Sequence, residues 1–432
     1  MNKLIVSKAF FGGAICFLII LSFKVFFISK FAVDIPWSDQ WDGELELLYL
    51  KDTLSFNDLW MQANEHHIVL TKILNILSFR MSNQSFNQIN ALYLQSIIFA
   101  LSIAVISYVF IKNKVMPVRI AMLLLLFIPA FDWENIYWSY QSQVYFSVLF
   151  GIIGCYLCSK EKINLFQILF LTLIAGLSNA AALYIPIMAA FSITFQLRQN
   201  KIAKYQFVFC LFLSFFSYKL FAAQTPWHDQ YKANSLETLT TSSIKYLAWP
   251  ENAGWLLWVL LASISLVTAF HMYKNDKKVE PLERFGLFLA AWFFLFLLST
   301  IYSRALFMVV PVRYYTYYLV FGCTALLCFR FNLAPLIRNS VMIFILILYL
   351  VTLEETYTQW CNYSLEKNAY RNNFIETLII AKNNQNAPNE FILENLKKLP
   401  LPYAGYPNYD VPLRVIRNPK TWKMFNFMIE KG

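Results

Sequence analysis

The sequence predicts an all-α polytopic integral membrane protein, and three observations lead there. Of the 432 residues, 58% are hydrophobic and only 14% charged, against about 25% charged in soluble domains, and the mean hydropathy is +0.49. Apolar runs recur at lengths that cross a bilayer core, roughly 17–25 residues. Lys and Arg concentrate in alternate loops between those runs, the asymmetry that sets orientation in a membrane. The same asymmetry accounts for the net charge of +11. A lipid bilayer is therefore the implied partner, and nucleic acid is not.

In chain order, about eleven spans are expected, at 9–31, 91–111, 117–131, 144–158, 164–177, 180–196, 204–222, 254–273, 285–302, 312–329 and 336–352. The first follows Lys3 and Lys8 and has no small-residue cleavage site, so it reads as an uncleaved anchor. Lys24 and Lys30 are expected to snorkel to its outer interface. The fifth and sixth spans are short and meet at Gly176-Leu177-Ser178-Asn179, so a single hairpin that only just crosses is the alternative. Loops with Lys112, Lys114 and Arg119, with Lys160 and Lys162, with Arg198, Lys201 and Lys204, with Lys274, Lys277 and Lys278, and with Arg330 and Arg338 mark the cytoplasmic side, together with the N-terminus. The loops at 32–90, 132–143, 223–253 and 303–311 then face outward. Residues 1–352 form the membrane domain. Residues 353–432, rich in Asn and Pro, form a small extracytoplasmic region with one helix expected near 366–382. Cys361 alone lies well outside the spans, and Cys155-x-x-Cys158 reads as helix packing rather than redox or metal chemistry.

The first outer loop concentrates the acid–base chemistry. Asp34, Asp39, Asp42, Glu44, Glu46, Asp52, Asp58 and Glu65 stand there against Lys51, Lys72 and Arg80. Residues 42–52 read as a short amphipathic helix with Leu45, Leu47, Leu48 and Leu50 on its apolar side. Ser55 with Asp58 three residues on is a helix start. From His66 to Met81 the apolar residues recur at helical spacing, as expected of a helix lying on the membrane.

Asp39 and Asp42, three residues apart, share a face of any helical turn and lie between Trp37 and Trp41. Partial desolvation there raises a carboxyl toward the working range of a general base. The bland alternative is a set of solvated carboxylates. Glu65-His66-His67 offers a carboxylate beside imidazoles, suited to acid–base work or phosphate contact, or else an interfacial polar turn. Adjacent histidines project in different directions, which argues against a two-histidine metal site. Arg304 and Arg313 face outward, where cytoplasmic bias does not explain them. Arginine near hydrocarbon requires a partner, either a phosphate held in a bidentate fork or an acid that fastens the fold. Trp133, Glu134 and Gln141, with Asp132, Asn135 and Trp138, form an acid–aromatic loop that could line a sugar site. His228 and His271 read as loop and helix-end residues. The sequence has no Walker loop, dinucleotide fingerprint, zinc-protease motif or nucleophile elbow, so a nucleotide-sugar donor has no visible seat.

Asp39-Gln40-Trp41-Asp42, Asn64-Glu65-His66-His67, Trp133-Glu134-Asn135 with Gln141, Gly176-Leu177-Ser178-Asn179, and Arg304 with Arg313-Tyr314 occur in this order and on these sides of the membrane. In that, the chain resembles the GT-C class of polyprenyl-phosphate-sugar-dependent glycosyltransferases, in particular the bacterial serotype-converting O-antigen glucosyltransferases. The resemblance spans residues 34–315. It implies an inner-membrane enzyme, N-terminus cytoplasmic and C-terminus periplasmic, that moves a hexose such as glucose from undecaprenyl-phosphate-sugar to O-antigen or a related surface glycan with inversion.

On that reading Asp39 or Asp42 is the base, and Glu65 and His66 orient the acceptor or the base. Arg304 and Arg313, with His67, bind the donor phosphate, while Trp41, Trp133, Glu134 and Gln141 contact sugar. No cofactor is implied. The Asp-x-Asp metal pattern of some relatives is replaced by Asp39-x-x-Asp42, so no divalent cation is required, and His67 stands where an arginine is expected. The alternatives are a flippase of lipid-linked sugars, expected to carry ionisable residues deep in several spans, and an O-antigen polymerase, expected to have arginine-rich outer loops.

Overall fold

The computed structural model describes residues 3–36, 39–63, 66–128, 132–179, 183–196, 201–222, 225–249, 254–274, 279–307, 310–329, 369–384, 388–398 and 409–426, with single positions 343, 350, 358, 362 and 366. Within these the protein is helical, and β-pairing is confined to isolated bridges of His66 with Ala63 and Ala222. Five helices are long and apolar enough to cross a membrane. They are α1 (Lys3–Phe31), α4 (Gln88–Lys112), α7 (Ser142–Cys158, extended back to Ser139 by a 3-10 turn), α12 (Gly254–Lys274) and α13 (Pro281–Ser303). The protein is therefore an all-α membrane protein.

The other expected spans appear differently. α5 (Pro117–Phe127), α8 (Leu165–Gly176) and α9 (Tyr184–Thr194) have 11, 12 and 11 residues, about 16–18 Å of helix against a hydrocarbon core of about 30 Å. Hydrophobicity continues past their ends, through turns such as Gly176-Leu177-Ser178, which is why the sequence reads longer. α10 (Lys201–Phe221) is helical over the extent expected of a span but is not among the five helices apolar enough to cross. The run over 312–329 is a 3-10 turn, α14 (Tyr315–Tyr317), a π-helix (Tyr318–Cys323) and α15 (Thr324–Cys328) end to end, buried all round from Thr316 on. The expected span at 336–352 lies outside the described residues.

Contacts sort the loops onto two ends. At one, Lys112 bonds the Tyr156 hydroxyl, Arg284 meets Glu161 at 3.6 Å, and Arg119 donates to the carbonyls of Leu327 and Phe329 at 2.9 and 3.2 Å. Arg119, expected as a loop charge, is thus buried as a cap on the last carbonyls of α15. At the other end lie the remaining helices: the π-helix Trp41–Tyr49, α2 (Phe56–Trp60), α3 (Val69–Met81), α6 (Trp133–Tyr137) and α11 (Leu236–Ala248). There too are α16 (Asn389–Leu396), α17 (Asp410–Arg417) and α18 (Pro419–Met424).

Two cores match these two levels. One fills the membrane helices, where small residues admit close approach. A Cβ on Gly151 would meet the Phe321 ring at 2.7 Å, and one on Gly13 the Ala104 carbonyl at 3.1 Å. Cys155 packs on Met188 and donates to the Phe288 carbonyl. The other core joins the first outer loop to residues 133–140 and the C-terminal region through Trp41, Phe86, Ile136, Phe374 and Ile416. The helical stretch 369–383 corresponds to the helix expected near 366–382.

α3 is turned against the usual pattern of a soluble helix. It buries Thr71, Lys72, Asn75 and Ser78 and exposes Ile73, Leu77 and Met81, spaced i, i+4, i+8. Its apolar stripe points out of the protein, as suits a helix resting on lipid. Its polar face has partners inside, where the Lys72 ammonium donates to the carbonyls of Asp58 and Met61 at 2.9 and 2.6 Å. α2 begins with the expected cap, Ser55 and Asp58 bonding each other's backbone reciprocally.

Candidate functional site

The acid pair sits where the chain enters the π-helix. Asp39 occupies the preceding turn and Asp42 the first helical turn, and the Gly43 N–H donates to the Asp39 carbonyl and to an Asp42 carboxylate oxygen, each at 2.8 Å. Gly43 is required because Tyr140 lies against the backbone there, its hydroxyl 2.5 Å from where a Cβ would stand. Asp42 keeps solvent access and Asp39 is half-buried. The crowded surroundings push the Asp42 carboxyl up to about 6. Desolvation is the main cause and the charge of Asp39 the next, with the Gly43 N–H opposing.

Where a leucine-sided α-helix is expected, the π-helix buries Trp41, Glu44, Leu45 and Leu48. Trp41 is sealed edge-to-face against Phe374, with ring centroids 5.9 Å apart. That contact corrects its reading as a sugar-stacking residue, since the indole has no open face. Glu44 turns inward to Asn75 Nδ2 at 2.5 Å, Gln40 Nε2 at 3.1 Å and the Tyr49 hydroxyl at 3.4 Å. Burial outweighs those bonds and pushes it up to about 8. Asp34 is likewise raised by burial, to about 7, while it accepts from the Gln88 N–H at 2.9 Å.

The second outer loop is a buried polar hub. Asp132 bonds Lys24 Nζ at 2.8 Å, the Tyr145 hydroxyl at 2.8 Å and the Thr316 hydroxyl at 2.9 Å. Burial alone would raise this carboxyl, yet Lys24 and the hydroxyls hold it below its ordinary range. Lys24 does not snorkel: its side chain is 1% exposed, 4.5 Å over the Phe99 ring. Asn135 Nδ2 donates to Thr316 at 3.0 Å and to the Arg313 carbonyl at 3.2 Å. Glu134 takes the Arg313 guanidinium and backbone N–H, both at 3.3 Å. Trp133 and Gln141 are buried, Trp133 edge-to-face on Tyr137. Neither presents a sugar-binding surface here, because the helical turns of this loop direct them into the core.

Arg313 is close enough to both Asp39 and Arg304 to feel their charges. Burial would lower it, but the charges of Glu134, Tyr314 and Asp39 hold it above its ordinary range, with Arg304 opposing. A cavity of about 930 Å³ opens between α9, α10, α13 and the 3-10 turn Pro226–Tyr231. Leu183, Ile187, Phe215 and Phe296 give part of its wall an apolar surface. Asn179, Asp229, Lys232, Ser303 and Arg304 give another part of it a polar surface, in which Lys232 pairs with Asp229 at 2.5 Å. Arg304 follows α13 and lies 5.4 Å over the Phe307 ring.

His66 lines the cavity, its backbone bridged to Ala222. His67, expected beside it as a phosphate contact, is instead stacked on Trp60 with ring centroids 4.5 Å apart, and its Nδ1 is 2.5 Å from the Trp60 carbonyl. Adjacent residues diverge, and here only one of them reaches the cavity. Glu65 and Trp37 lie outside the described residues. His228 packs edge-to-face on Tyr231.

Of the residues picked out from sequence, the structure brings Asp39, Asp42, Glu134, Arg313 and Arg304 into one chain of charges and puts His66 on the cavity wall. Lys232 and the tyrosines at 184, 218, 302 and 317 complete the cavity. Sequence reading missed them: Tyr is common throughout the chain, and only Tyr302, in Tyr302-Ser303-Arg304, stands next to a selected residue. Among the described residues no three His, Cys, Asp or Glu side chains converge as metal ligands. No family model, characterised protein or solved structure matches the chain.

Proposed function

We propose that the protein transfers a hexose from a polyprenyl-phosphate carrier to a surface glycan such as O-antigen, at the outer face of a bacterial inner membrane. The observation that carries this reading is the cavity: apolar side chains together with Arg304, whose charge and that of Asp39 both act on Arg313. An isoprenoid tail suits the wall formed by Ile187, Phe215 and Phe296, and a phosphate suits Arg304 and Lys232. Asp42, raised to about 6, removes the proton from an acceptor hydroxyl at neutral pH. The hydroxyl oxygen bonds to the anomeric carbon from the face opposite the phosphate. The sugar–phosphate C–O bond breaks, and its electron pair leaves with the polyprenyl phosphate, held by those cations. Arg313, paired with Glu134, keeps a positive charge near base and leaving group, and His66 borders the same space.

The test is transfer in proteoliposomes given undecaprenyl-phosphate-hexose and acceptor glycan. Asp42→Asn or Asp39→Asn is expected to abolish product while the protein inserts normally, and near-normal turnover in both variants sinks the assignment. The same cavity also favours a flippase of lipid-linked sugars. That reading predicts carrier translocation across acceptor-free liposomes with no glycoside formed.

A further inference from the structure

The C-terminal region carries none of the resemblance, yet it is fastened to the helix that bears the candidate base. Arg414 of α17 forks onto Glu46, Nε to one carboxylate oxygen at 2.9 Å and Nη2 to the other at 3.1 Å. One turn on, in α18, Lys420 Nζ donates to the Leu50 carbonyl at 3.0 Å, which caps the π-helix, and pairs with Asp52 at 2.5 Å. The Phe86 N–H donates to the Met424 carbonyl at 3.1 Å. These contacts are more than a generic surface tie because of where Glu46 sits. It lies four residues after Asp42 in a helix of slightly wider turn than an α-helix, so the two carboxylates share a face.

We infer that Arg414 is a positioning residue for the Asp39–Asp42 pair: by binding Glu46 it fixes the helix face that carries Asp42 and opposes part of the third negative charge beside it. Among the described residues, several charged groups lie near Asp42. Asp39 precedes it, Glu46 follows on its own helix, Tyr140 faces it from the 3-10 turn, and α17 brings Arg414 with Asp410 close behind. Arg313 reaches this group only through Asp39. From α3, Lys72 turns to the Asp58 and Met61 carbonyls instead. Arg414 is thus the cation opposed to Glu46, supplied by a segment more than 360 residues away in sequence. Its consequence for catalysis rests on Asp42 being the base, whereas the charge coupling itself does not.

The full-length protein in nanodiscs separates the two. The Asp42 carboxyl is titrated by pH-difference infrared spectroscopy with the Asp42→Asn spectrum subtracted, and the acidic limb of hexose transfer is recorded alongside. With Arg414→Ala, the unopposed Glu46 charge is expected to raise the Asp42 midpoint by about half a pH unit. Glu46→Gln, which removes charge and keeps shape, is expected to lower it by a similar amount. Adding Glu46→Gln to Arg414→Ala restores the wild-type midpoint, and Arg414→Lys keeps it. A midpoint unmoved in both Arg414→Ala and Glu46→Gln overturns the inference, even if activity falls at every pH as for a purely structural clamp. A midpoint that moves without the transfer limb following supports the coupling and removes Asp42 from the base role.

Discussion

The acid layer and the cavity each place a charge, Asp39 and Arg304, within reach of Arg313, and they are built by different physics. The acid layer is held by specific polar bonds: Lys24–Asp132–Thr316–Asn135 behind Arg313, Glu134 in front of it, and Arg414 on the far flank. The cavity is lined largely by aromatic and aliphatic side chains, with hydroxyls such as the Tyr184–Ser299 pair among them. A reaction that moves a proton needs fixed geometry on its acid side. A site that admits a long apolar tail needs walls that yield. The two regions suit that requirement if the proposed transfer is the activity.

Four experiments break or sharpen this contrast. Asp42→Asn, which removes a proton acceptor and leaves the fold intact, is expected to reduce transfer by about 10²–10⁴-fold; single-turnover assays with preloaded carrier read this directly. Lys24→Met strands Asp132 as a buried charge, and loss of one partner of such a pair costs about 3–5 kcal/mol. Thermal unfolding in detergent is expected to show that loss, and Lys24→Met with Asp132→Asn is expected to recover much of it. On the cavity side, Arg304→Ala is expected to weaken carrier binding about 10–100-fold, the worth of a charged hydrogen bond, while the acceptor KM stays within twofold. An equal loss for both substrates would merge the two regions into one site.

The smallest effect is one of slope. Glu44 is raised from an ordinary 4.5 to about 8 in the folded protein. Between those values the folded state binds more protons than the unfolded one, so stability falls as pH rises through the window. Asp34, raised to about 7, acts in the same direction. Melting temperatures measured from pH 5 to 8 are expected to decline, and Glu44→Gln is expected to flatten the decline. On the proposed function, transfer is expected to run the opposite way over the lower part of that range, because Asp42 would have to lose its proton, near pH 6, to act as a base.

Several parts of this arrangement were legible from residues alone. The cap at Ser55 and Asp58 and the helix after Ile68 follow from local rules, because each depends on neighbours within a turn. The acids stood out because carboxylates cluster beside tryptophans in an otherwise apolar chain. The misread residues share a cause. Lys24, Trp41, Trp133 and His67 were assigned by type and by nearness to lipid or sugar, while their actual partners, Asp132, Phe374, Tyr137 and Trp60, are set by packing. Two of those partners lie more than one hundred residues away.

Sequence by itself determined that this chain is a helical membrane protein with its ionisable chemistry gathered outside the spans. Hydrophobic transfer and charge placement are properties of short segments and survive without a fold. Tertiary structure alone decided which acid meets which base. The inward turn of Glu44, the pairing of Glu134 with Arg313, the cavity beneath Arg304 and the reach of Arg414 to Glu46 each require two distant segments to be brought to bonding distance. In a chain with so few charges, those meetings are fixed by packing of the apolar majority around them.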